Sequence, residues 1–217
     1  MAELDRDRLL ALSYIPAARR SAVEALWHLD LALGNALSGG REPLISQIKL
    51  AWWREALERL DAEKAPAEPV LSALASLVLP RGVKGADLAA MERGWALLLT
   101  PDPLTPEQLA AYASARGGVL FRCSASLLGG SASEDVQRGG EAWALADLAR
   151  HSGSETDAIA AAAGVRVRES AFRWPSRLRP LGMLVQLAQR DSAGPPWEEQ
   201  GAPGRMWRML RHRMTGR

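Results

Sequence analysis

Ala- and Leu-rich stretches, broken at short intervals by glycine and proline, leave this chain one economical way to bury its apolar residues: as a packed set of helices. Val23, Leu26, Leu33 and Leu37 recur at helical spacing between Ala17 and Leu37, and Gly39 and Gly40 close that segment. Pro43 opens the next helix, which the pattern carries to about Lys64. Ile45, Ile48 and Trp52 line one side of it and Trp53, Leu57 and Leu60 an adjoining one, which predicts heavy burial. A short helix from Leu4 to Ser13 stops before Pro16, and others are expected over about 70–78 and 85–99. Thr105, Pro106 and Gln108 form a capping-box start for a helix reaching Leu128, while Ser131 with Glu134 opens one that reaches Arg150. Ser154 with Asp157 begins another through Ala163, and residues 180–189 form a further one. Residues 192–204 read as a polar connector and 205–217 as a basic terminal helix. β-Branched runs are scarce. The expectation is an all-α compact multi-helix array in a single domain, 1–217.

Composition sets the outer limits. Net charge is +2, too mild to imply a nucleic-acid partner. The one cysteine, Cys123, excludes an intrachain disulfide and suits a reducing compartment. Glu3, Asp5, Arg6, Asp7 and Arg8 at the start do not read as a secretory leader, and no run approaches the length of a membrane span, so a cytoplasmic protein is expected, with peripheral contact at the inner membrane left open.

Chemistry-bearing patterns are sparse. The glycines, including Gly129-Gly130 and Gly139-Gly140, read as helix stops, since no phosphate-loop context surrounds them. Cys123 sits in an Ala-rich helix without a nearby histidine, as a small buried residue would. His28, His151 and His212 show no metal-ligand spacing, and no cofactor is expected. At the C-terminus, Arg205, Arg208, Arg211, Arg213 and Arg217 accompany His212 without any acid, and Trp207, Leu210 and Met214 recur at three and four residues. Such a helix either docks its apolar stripe on the core or offers Arg205, Trp207, Arg208, Arg211 and Arg213 to an anionic membrane or a protein partner.

Three stretches then act together. They are Pro16-Ala-Ala-Arg19-Arg20 continuing to Trp27 and Leu37, Ile48 through Trp52-Trp53-Arg54-Glu55 to Leu57, and Gly140 through Trp143 and Asp147 to Arg150-His151. With Tyr112, Arg116, Gly117 and Gly118 between them, the chain resembles the squalene/phytoene synthase family over about Asp5 to Asp191, and within it the divergent branch that includes a mitochondrial complex I assembly factor. The resemblance implies a helical isoprenoid-synthase fold. Enzymes of the family join two prenyl diphosphates head-to-head, with two aspartate-rich motifs facing across a cavity to hold Mg²⁺ against the diphosphates.

Carried onto this chain, the first aspartate pair falls on about Leu33 and Leu37, both apolar, and Asp30 has no carboxylate four residues on. The second motif falls on Asp147, Arg150, His151 and Glu155. The resemblance thus implies a vestigial ligand cavity bearing Arg19, Arg20, Tyr112, Arg116, Asp147, Arg150, His151 and Glu155, with no catalytic residues and no metal. Its leading functional reading is a non-catalytic assembly or scaffolding factor for a respiratory membrane complex, with a protein partner and an isoprenoid or lipid ligand. A residual prenyl-diphosphate transferase or binder is the second reading, and a structural or regulatory protein whose cavity has closed is the third. The space between Leu33/Leu37 and Asp147 is expected to be narrow and apolar.

Overall fold

The computed structural model describes residues 3–37, 43–100 and 102–217, and among them all regular structure is helical. The order is α1 (Arg6–Ser13), α2 (Ala17–Leu37), α3 (Pro43–Arg59) and α4 (Pro69–Ala73), which runs on through a π-helical turn, Leu74–Val78. Next come α5 (Gly85–Leu97) and α6 (Pro106–Ala113), which a second π-helical turn, Ser114–Gly118, joins to α7 (Val119–Leu127). α8 (Glu134–His151), α9 (Glu155–Val167), α10 (Arg179–Asp191) and α11 (Pro203–Thr215) complete the array. The expected stop at Gly39-Gly40 and the break at Pro101 lie outside the described residues.

Local chemistry sets the helix starts. Thr105 and Gln108 make the reciprocal capping box, with Pro106 at the first turn. α8 is capped by Ser133 rather than Ser131, its side chain accepting from the Val136 amide, because the helix opens at Glu134 and the cap must stand immediately before it. Ser154 caps α9 through the Asp157 amide, and that helix runs past Ala163 to Val167.

The core forms where α2 and α8 meet their neighbours. Val23, Leu26, Leu29 and Leu33 of α2 are fully buried, each such leucine contributing about 2 kcal/mol. α8 packs against the second π-turn, α7, α9 and α10. Its approach to the π-turn depends on glycine: a Cβ on Gly117 would collide with the Gly140 carbonyl oxygen, and one on Gly140 with that of Gly117. Gly139 and Gly140 therefore lie inside a helix as contact points rather than as stops, whereas Gly129, with φ of 70°, follows the end of α7 as a terminator.

Two helices distribute their residues differently from the periodicity. α3 packs against α2 and α5 through Leu50, Ala56 and Leu57, so Leu44, Ile45, Ile48 and Trp52 are exposed instead of buried. α11 turns Arg205, Met209 and His212 inward and leaves Trp207 and Met214 exposed. No described helix is long and apolar enough to cross a membrane.

Candidate functional site

A cavity of about 660 Å³ opens among α2, α5, α6, α8 and the turn before α9, and α2 presents Asp30, Leu31, Gly34, Asn35 and Leu37 to it. Asp30 and Gly34 lie one helical turn apart on that wall, whereas Leu33 points into the core with no exposure. The space is therefore neither closed nor apolar. Six carboxylates, those of Glu3, Asp5, Asp30, Asp102, Asp147 and Asp157, line it against Arg8, Arg116 and His151.

Two buried guanidiniums organise the floor. Arg116, carried by the second π-turn, donates from Nε and Nη2 to the two oxygens of Asp30 at 2.8 and 2.9 Å. Its Nη1 lies 2.7 Å from Asp147 Oδ2 and also donates to the Tyr112 hydroxyl. Arg8 of α1 pairs with Asp5 at 2.9 Å and with Asp147 Oδ1 at 3.3 Å, and comes within 4.0 Å of Asp30. The aromatic walls complete the enclosure: Arg116 lies 4.0 Å from the Trp95 ring centre and 4.9 Å from that of Trp143, while Arg8 lies 5.0 Å from Trp143.

The charges follow from this arrangement. Burial is the largest single influence on Asp147 and works against its ionisation, but Arg116, His151 and Arg8 together outweigh it, and the carboxyl stays well below the usual carboxylate range. For Arg116 burial opposes the charge, and Asp30, then Tyr112 and Asp147, more than restore it. Burial pushes the Tyr112 hydroxyl up to about 12, against the pull of Arg116. His151, hydrogen-bonded to Asp147, is shifted upward. Tyr112, Arg116, Asp147 and His151 are thus brought together on one cavity.

The other expected cavity residues lie elsewhere. Arg19 donates to the Leu127 carbonyl at 2.7 Å, and Arg20 donates to the carbonyls of Ser13 and Ile15, fastening the turn between α1 and α2. Arg150 faces away, 3.3 Å from Asp191 and donating to the Glu198 carbonyl at 2.9 Å. Glu155 is exposed at the start of α9, because α8 ends at His151 and Ser152–Ser154 intervene. Arg205 is interior, pairing with Asp7 at 2.9 Å and Asp191 at 2.6 Å, which removes it from the outer surface of α11. Trp207 and Arg211 are exposed; Arg208 is half-buried, as is Arg213, whose guanidinium lies 5.6 Å from the Tyr14 ring centre. Cys123 is buried, and its thiol is pushed up to about 12 by that burial, which removes it as a nucleophile.

Sequence reasoning missed Asp5, Arg8, Asp30 and Trp95. Asp30 carried a readable signal, since it interrupts the stripe Val23, Leu26, Trp27 and Leu33, and a carboxylate in a buried stripe requires a cationic partner.

A divalent cation of the kind a prenyl-diphosphate site requires needs several carboxylate oxygens free to bridge it. Both Asp30 oxygens are bound by Arg116, and the two of Asp147 face Arg116, Arg8 and His151. Among the described residues no group of three or more His, Cys, Asp or Glu side chains is disposed to hold a metal. The facing pair Asp30 and Asp147 does not fit such an ion, because guanidiniums already occupy both carboxylates.

Comparison with known proteins places this geometry in context. A family model described as squalene/phytoene synthase matches residues 1–161, which carry every cavity-lining residue named so far. No curated protein and no solved structure matches the chain.

Proposed function

The chain belongs to the squalene/phytoene synthase family, with its all-helical isoprenoid-synthase-like fold, and we propose from that premise that it is a non-catalytic member acting as an assembly or scaffolding factor for a respiratory membrane complex. One observation carries the reading. Where head-to-head prenyl transfer requires carboxylates that gather metal ions around a diphosphate, Asp30 and Asp147 are consumed by Arg116 and Arg8. Loading that site with a metal-diphosphate cluster means displacing a buried guanidinium that is held by two carboxylates and an aromatic wall. A scaffold needs a surface as well as an idle site, and the exposed apolar side of α3, formed by Leu44, Ile48 and Trp52, supports a protein partner. The cavity itself remains large enough for an isoprenoid or lipid-like ligand.

The direct test incubates the purified protein with farnesyl and geranylgeranyl diphosphates and MgCl₂ and assays for a condensed hydrocarbon or cyclopropyl product. None is expected, and turnover defeats the non-catalytic reading. For the scaffolding half, deletion of the gene is expected to lower the amount of an assembled respiratory complex in native gels of the membrane; unchanged levels of every such complex defeat it.

A further inference from the structure

α11 is amphipathic in the inverse sense. A surface helix ordinarily turns its apolar side to the core and its charges to water. Here Arg205 and His212 are interior, together with Met209, and Trp207 and Met214 are 69% and 79% exposed. At 100° per residue, Trp207, Leu210 and Met214 fall on one outward stripe, with Arg211 and Arg208 along one flank. The reversal has a local cause. Arg205 is drawn inward by Asp7 and Asp191, and that anchor fixes the rotation of the whole helix. The Arg179 guanidinium, donating to the Arg213 and Met214 carbonyls, holds the other end.

The part of the chain that carries this stripe is strongly cationic. Residues 170–217 carry nine arginines and three acids, whereas residues 1–169 carry more acids than cations. Of the three acids, Asp191 is paired with Arg150 and Arg205, and Glu198 with Arg190. An outward tryptophan and methionine bordered by unopposed arginines matches the interface of an anionic bilayer, where indole rings settle at headgroup depth and guanidiniums reach the phosphates.

We infer that the outward face of α11 docks on an anionic lipid bilayer, with the Trp207, Leu210 and Met214 stripe entering the interface and Arg208 and Arg211 contacting headgroups. Removing the helix is not a clean test, because Asp7 and Asp191 would lose Arg205. Point substitutions on the exposed face of the full chain avoid that. The protein is sedimented with phosphatidylcholine vesicles containing phosphatidylglycerol, or with pure phosphatidylcholine vesicles, over a range of salt. Wild type is expected to pellet only with the anionic vesicles and to be released as salt screens the attraction. Arg211→Gln is expected to weaken partitioning about fivefold, and Trp207→Ser to weaken it as well, both with unchanged melting temperature. Three results overturn the proposal: a wild type that stays in the supernatant, variants that pellet as wild type does, or a wild-type dimer that Trp207→Ser dissociates, since a second copy would then cover this face.

Discussion

Arg116 and Asp30, 86 residues apart in the chain, meet through two parallel hydrogen bonds of 2.8 and 2.9 Å in a site with almost no solvent. The geometry is the planar fork that guanidinium and carboxylate prefer, and it satisfies both oxygens of Asp30 at once. Such a pair gains attraction from its low-dielectric surroundings and loses hydration to reach them, so its net value is small while either half alone is costly. The fold commits to it by spending a π-turn and two facing glycines to bring Arg116 against α8.

Arg116→Met should therefore destabilise strongly, by about 3–5 kcal/mol, because Asp30 would be left with Arg8 at 4.0 Å as its nearest cation. The double variant Arg116→Met with Asp30→Leu is expected to be more stable than Arg116→Met alone, the remaining charge having been removed. Urea unfolding midpoints of the three proteins decide this, and an Arg116→Met protein as stable as wild type would show that the pair is not isolated from water.

Leu33 and Leu37, four residues apart, should respond unequally to aspartate. Leu33 has no exposure and lies outside the cavity, so Leu33→Asp buries an unpaired carboxylate and is expected to cost at least about 3 kcal/mol. Leu37 is half-buried on the cavity wall, and Leu37→Asp should cost about 1 kcal/mol. Equal losses of melting temperature would contradict the placement of α2.

These two residues also mark where sequence reading stopped. The helical class and the capping box at Thr105 depend on neighbours within a turn or two, and both are written locally. The convergence of Tyr112, Arg116, Asp147 and His151 is not local, since it joins two separate helical segments, and only the family resemblance brought those residues together in the sequence reading. On α2, Leu37 does face the cavity but Leu33 does not, and the acidic position on that side is Asp30, which is recognised by a distant cation rather than by a second carboxylate at the next turn. Asp5 and Arg8 were passed over for the same reason: Arg8 reaches Asp147 across 139 residues. α11 was the least legible. Its periodicity permits an inward Trp207 and Leu210, and only the three-dimensional position of Asp7 and Asp191 reverses the choice.

Gly140→Ala should disrupt the site from behind. The added methyl would meet the Gly117 carbonyl oxygen and, at 2.7 Å, the Phe121 Cβ; the first of these is backbone and cannot rotate away. α8 and the π-turn must then separate, and Arg116 moves from Asp147 with them. A loss of about 3 kcal/mol or more is expected, against a change within about 0.5 kcal/mol for Gly153→Ala, whose Cβ would meet nothing within 4 Å. Thermal unfolding of the two variants provides the comparison; a Gly140→Ala protein that melts with wild type would refute the close approach.

His212 should make the fold acid-sensitive in a defined window. Its ring is interior, 6.5 Å from the Trp174 ring centre, and burial lowers its pKa from 6.5 to about 4, with the Arg217 backbone opposing in part and the Arg179 charge adding to the depression. The unfolded chain binds a proton near pH 6.5 and the folded chain only near 4, so between these values the unfolded state carries more protons. Stability from this group is complete above about pH 6.5 and falls steadily as pH drops towards 4. Replacing the ring with a group that cannot titrate should leave the other titrations in place and remove this slope. Melting temperatures of wild type and His212→Gln between pH 7.5 and 4.5 measure it: wild type is expected to lose more than the variant on acidification, even where the variant starts lower at pH 7.5. Parallel decline of the two proteins would mean that His212 takes up its proton in the folded state as readily as in the unfolded one, and that the contact between α11 and Trp174 opens to water.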